Sequence, residues 1–102
     1  MDYQKIAKEI SDKCGFGHDP MTRYADLMSE IGELGKELLL SSNYGTKPFK
    51  PTDNLPQEMG DAIFALSLLA NSLDLDLEEC FGSAIDKYNK GYEETGQIGY
   101  EV

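Results

Sequence analysis

Tyr24, Leu27, Ile31, Leu34 and Leu38 fall at alternating intervals of three and four residues, the spacing that an α-helix gathers into one continuous apolar face. Asp19-Pro20 stands just ahead of that stripe and supplies an N-cap acceptor followed by a residue suited to the first helical turn. A helix is therefore predicted over 20–40. Tyr3, Ile6, Ala7, Ile10 and Cys14 repeat the pattern over a shorter stretch, which Gly15-Phe16-Gly17 ends with residues tolerant of a left-handed backbone. This places a first amphipathic helix within 1–15.

Residues 41–53 carry Ser-Ser-Asn, a glycine and two prolines without an apolar period, and read as a connecting loop, long enough to be functional or mobile. Asn54 followed by Gln57 resembles a capping box, and from Leu55 to Leu73 apolar residues occupy most of the circumference. The third helix, 54–73, is expected to be the central and most buried. Asp76 and Glu79 repeat the capping pattern before Leu77, Cys80, Phe81, Ala84, Ile85 and Tyr88, predicting a fourth helix over 76–91 that ends near Gly91. Residues 93–102 lack a period and read as a tail, disordered alone or folded over a partner or ligand. The expectation is one all-α, four-helix domain over 1–102, small enough to gain stability from self-association.

Nine basic against 19 acidic residues give a formal charge of −10, which repels nucleic acid polymers and leaves no basic stripe to track phosphates. A small triphosphate remains compatible, because bound divalent cations reverse the sign of the local field. Cys14 and Cys80 are the only cysteines, lie in apolar helical contexts and are expected to be buried free thiols. The first residues lack a charged region followed by an apolar run, and the most hydrophobic stretch, 62–70, is far short of a membrane span, so a cytoplasmic protein is expected.

Within the second helix Asp26, Glu30, Glu33 and Glu37 stack along one side, where like charges oppose helix formation by about 0.2–0.5 kcal/mol per pair. Something should compensate. The third helix adds Glu58 and Asp61, again one turn apart, and antiparallel packing would let Glu30-Ile-Gly-Glu33 face Glu58-Met-Gly-Asp61 around a shared cation. Gly32, Gly35 and Gly60 recur among these acids, as close helix approach or room for a ligand requires. A lone Glu-x-x-Glu is ordinarily a solvated surface. Two such pairs on consecutive helices, each beside a core stripe and each spanning a glycine, point to a metal. An all-carboxylate set favours Mg²⁺ or Mn²⁺ over zinc or iron, and a di-iron centre needs helical histidines where this chain has only His18, in a loop. Phe16, in a glycine-rich turn, is the best candidate to stack on a base; His18 belongs to the same turn. Arg23 and Lys36 balance the acidic face.

Leu27-Met-Ser-Glu-Ile-Gly-Glu-Leu-Gly-Lys-Glu-Leu38 with Glu58-Met-Gly-Asp-Ala-Ile-Phe-Ala-Leu66 resembles the MazG-like nucleoside triphosphate pyrophosphohydrolases, and the resemblance runs from about Gly15 to Tyr92. It implies a four-helix MazG-type domain that assembles as a homodimer or homotetramer, here through the third helix. It implies Mg²⁺-dependent hydrolysis of nucleoside triphosphates to monophosphate and pyrophosphate, removing noncanonical or surplus nucleotides. Glu30, Glu33, Glu58 and Asp61 would then be the metal ligands, with Glu30 or Glu33 also the general base. Lys87 and Asn89 would contact phosphate or sugar, so that metal and substrate lie between helices two, three and four. Ser29 stands where many relatives have another glutamate, which leaves the number of metals open. Two rivals are a phosphoribosyl-ATP pyrophosphohydrolase and a noncatalytic helical module binding a partner through its acidic face.

Overall fold

The computed structural model describes residues 1–96, which form four α-helices and no strand: α1 (Tyr3–Cys14), α2 (Pro20–Leu40), α3 (Leu55–Ser72) and α4 (Leu77–Thr95). The helix starts follow local chemistry. Asp2, Asp19 and Asp76 each adopt an extended backbone and accept hydrogen bonds from main-chain N–H groups of the first turn, at Lys5, Thr22 and Glu78/Glu79 respectively. Gly15 closes α1 at φ 70°, a conformation that costs a glycine little.

Two expectations about helix ends are corrected. Asn54 has a helical backbone (φ −86°, ψ −8°), from which its side chain makes no cap bond, so the capping box with Gln57 does not form. In addition, α4 runs through Gly91, which is buried, and stops at Thr95, where Gly96 takes φ 73°. Residues 93–95 are thus helix, and residues 97–102 of the expected tail lie outside the described residues.

Helix α3 is central, packing extensively against both α2 and α1. It contributes Ala62, Ala65, Ser67, Leu68 and Ala70 to the buried interior, beside Leu27 of α2 and Ala7 and Ser11 of α1. Ser67 and Ser11 are the largest side chains to be fully buried, so this interior is built mainly of small residues. Such packing draws helices together but removes little apolar area from water.

Helix α4 packs extensively on none of the other three. Its base is held by Gln4, whose Nε2 donates to Asn71 Oδ1 (2.9 Å) and to the Leu75 carbonyl (2.7 Å), while its Oε1 accepts from the Leu77 N–H (2.7 Å). Asn71 Nδ2 returns a bond to the Gln4 carbonyl at 3.0 Å. Beyond that joint Phe81, Ile85, Tyr88 and Tyr92 form an exposed stripe, with Phe81 at 68% and Tyr92 at 61% exposure. The radius of gyration is 16.9 Å, against about 13 Å for a compact chain of this length. Cys14 and Cys80 are both exposed, correcting the expectation of buried thiols: Cys14 is the last residue of α1, beyond its buried Ala7 and Ser11, and Cys80 lies on α4, which packs extensively on no other helix. No helix among the described residues is long and apolar enough to cross a membrane.

Candidate metal centre

Contacts between α2 and α3 fix their relative direction. Glu37, near the end of α2, meets Thr52 and Asn54 just before α3 begins, and Glu30, two turns earlier, meets Glu58 and Asp61. The helices therefore run antiparallel, the arrangement the spacing of the acids requires. Glu30, Glu58 and Asp61 each offer an oxygen within 4.8 Å of the others, all three half-buried. Glu33 is exposed and outside that group, although its charge is close enough to act on Glu30.

The electrostatics around Glu30 are those of crowded carboxylates. Burial, and then the neighbouring carboxylates of Asp61, Asp26, Glu58 and Glu33, push the Glu30 pKa above the ordinary carboxylate value. The nearby cations do not relieve this crowding. Arg23 approaches Asp26 at 3.7 Å and turns its guanidinium over the Phe16 ring at 5.8 Å. Lys36 donates to the Tyr44 hydroxyl rather than to an acid. Three converging hard-oxygen donors with unfavourable mutual repulsion are a donor set that suits a divalent cation.

Two acids of α3 each accept a hydrogen bond from a side-chain amide one turn earlier. Asn54 Nδ2 donates to Glu58 Oε1 at 3.0 Å, and Gln57 Nε2 donates to Asp61 Oδ1 at 2.9 Å. In sequence these two amides have the spacing of a capping box. The i, i+4 spacing of Asn54 to Glu58 and of Gln57 to Asp61 is the signal that identifies them as partners of the acids.

The remaining predicted site residues are not gathered here. The ammonium of Lys87 lies over the neighbouring Tyr88 ring at 4.8 Å, and Asn89 is exposed on the same projecting helix. Because α4 does not pack extensively on α2 or α3, the expected site between helices two, three and four is not formed within one chain. Phe16 is exposed, with Arg23 against its ring. Of the two readings of the glycines, close helix approach is the one that fails: a Cβ added at Gly32, Gly35 or Gly60 would meet nothing within 4 Å, so they border open space.

Comparison with known proteins agrees with this geometry. Residues 18–95 match the MazG nucleotide pyrophosphohydrolase domain. The chain is 41% identical to the uncharacterized protein YpjD of Bacillus subtilis over 73 residues, 69% of this chain and 64% of that protein, so the match spans just under two-thirds of the relative. A crystal structure of YpjD, provisionally assigned as a pyrophosphatase, superimposes with a TM-score of 0.69 at 36% identity, covering 86% of this chain and 90% of that one. With the helical order, the opposed acidic pairs and the sequence match in agreement, the chain belongs to the MazG nucleotide pyrophosphohydrolase family.

Proposed function

We propose that this chain hydrolyses nucleoside triphosphates to monophosphate and pyrophosphate with Mg²⁺, or Mn²⁺ in its place, held by Glu30, Glu33, Glu58 and Asp61. The convergence of Glu30, Glu58 and Asp61 on one point of the α2–α3 seam supports this reading most directly. A divalent cation held by these carboxylates would supply positive charge against the triphosphate and activation of water. The chain's own carboxylates do the rest. Asp61 and Glu58 anchor from α3, and Glu30 or Glu33 on α2 accepts the proton of the attacking water. House-cleaning of noncanonical or surplus nucleotides in the cytoplasm is the corresponding role.

Self-association belongs to the same proposal. The chain exposes 7485 Å², whereas a compact monomer of its mass exposes about 5,700 Å². The excess of roughly 1,800 Å² per chain is the size of one half of an obligate interface. A homodimer or homotetramer that covers α4 and the exposed side of α3 would carry Lys87 and Asn89 toward a carboxylate site, where a lysine meets phosphate as a point charge and an asparagine meets a sugar hydroxyl.

The test is pyrophosphate release from a panel of canonical and modified ribo- and deoxyribonucleoside triphosphates, with and without Mg²⁺. Metal-dependent formation of monophosphate and pyrophosphate is expected. Turnover of phosphoribosyl-ATP alone would move the assignment to that substrate, and silence on every triphosphate would leave a noncatalytic binding module.

A further inference from the structure

Glu37 belongs to the acidic row of α2 yet stands outside the group of Glu30, Glu58 and Asp61. Both of its oxygens face the residues leading into α3: Oε1 accepts from the Thr52 hydroxyl, and Oε2 lies 3.5 Å from Asn54 Nδ2. The same Asn54 nitrogen donates to Glu58 Oε1 at 3.0 Å. An amide nitrogen carries two hydrogens, so one Asn54 side chain can serve Glu37 and Glu58 together and leave the second Glu58 oxygen for a cation.

An isolated i, i+4 amide–carboxylate pair merely supports its helix by a few tenths of a kcal/mol. Gln57 to Asp61 is such a pair. Asn54 differs because its Nδ2 also reaches across the seam to Glu37 Oε2 of α2, at 3.5 Å, a contact that favours the rotamer from which it bonds Glu58. Such a partner behind a ligating carboxylate sets the ligand's orientation before the ion arrives.

We propose that Asn54, braced by Glu37, is a positioning residue for Glu58 that presets this carboxylate for the cation. This rests on the metal reading given above. It makes the last α2 acid a fastening for the 41–54 loop and ties cation affinity to the seating of that loop through Thr52.

The experiment is Mn²⁺ titration of the full chain, followed by electron paramagnetic resonance of the free ion, with helix content recorded by circular dichroism. Asn54→Leu should weaken Mn²⁺ binding by about 10- to 100-fold at unchanged helix content. Glu37→Gln should weaken it less, and the double variant should bind no more weakly than Asn54→Leu alone, because the two residues act in series. If Asn54→Leu loses helix, Thr52→Val, which touches only the far side of Glu37, carries the test with a loss smaller than that expected of Asn54→Leu. Mn²⁺ affinity unchanged in Asn54→Leu, or in Thr52→Val where that variant decides, overturns the positioning role while leaving the metal site standing. Fully multiplicative effects of the two substitutions overturn the brace. Failure of the unaltered chain to bind Mn²⁺ overturns the metal reading and the positioning role with it.

Discussion

The α2–α3 seam and helix α4 have similarly amphipathic sequences and opposite fates. On α2 and α3, Leu27, Ala62, Ala65 and Leu68 are buried although Tyr24, Ile31 and Leu38 of the predicted stripe stay exposed, Asn54 bonds both Glu37 and Glu58, and three acids meet at one point. On α4, an equally regular stripe of Phe81, Ile85, Tyr88 and Tyr92 stays in water, and the helix is tied to the rest chiefly at its base. Periodicity records that a helix has a face to bury. It does not record whether the covering surface lies in the same chain.

The hardest blow to this contrast falls on the site. Asp61→Asn and Glu33→Gln should each remove metal-dependent turnover, a loss of several kcal/mol in the barrier, on the order of a thousandfold, with helix content intact by circular dichroism. An active Asp61→Asn enzyme would separate the acidic group from the chemistry. Next comes the interior. Leu68 is only 3% exposed on α3, so Leu68→Ala should cost about 2–5 kcal/mol in chemical denaturation; a cost below 1 kcal/mol would mean that the interior around α3 is no better packed than α4.

Smaller in energy but sharper in meaning is the pair Phe81→Asp with Tyr92→Asp. If this stripe is an interface, charging it should lower the mass measured by light scattering to that of one chain, at a cost of about 2 kcal/mol or more for each anchor. An unaltered chain that already runs as a monomer would remove α4's partner from the picture. The smallest effect concerns Glu30. Its raised pKa means that the folded chain holds this proton more tightly than the unfolded one, so metal-free stability falls as pH rises from the ordinary carboxylate range through the raised value. Glu30→Gln should flatten that slope and raise the metal-free midpoint slightly, by a few tenths of a kcal/mol for each relieved helical repulsion; a steeper slope would contradict the crowding.

Much of this architecture is legible in the residues themselves. The 3-4 alternation from Tyr24 to Leu38 and the Asp19-Pro20 pair are local signals, and α2 spans Pro20–Leu40 accordingly. Three of the four acids meet because antiparallel packing brings Glu30 opposite Glu58 and Asp61, while Glu33, one turn further along α2, stays outside that group, a difference that one-turn spacing alone does not record. Gly91 misled for a physical reason: a buried glycine inside a helix has the same letter as one that ends it, and only Gly96 takes the positive φ that stops α4. Asn54 misled because a capping asparagine and one bonded to the glutamate four residues on differ in backbone angles that no spacing records. Cys80 misled through the same gap as α4, since an apolar neighbourhood in sequence does not name its cover, and Cys14 because the end of α1 falls beyond the part of that helix that is buried.

The joint at Gln4 has a mechanical consequence. Nineteen helical residues extend from it, a rod of about 28 Å at 1.5 Å per residue, and a 10° change at its base would swing the far end by about 5 Å, more than a side-chain contact can follow. Angular tolerance at one glutamine near the start of the chain therefore sets how accurately Lys87, Asn89 and the aromatic stripe arrive wherever α4 docks. Shortening that side chain, as in Gln4→Ala, would degrade alignment at a distance while leaving every docking residue in place.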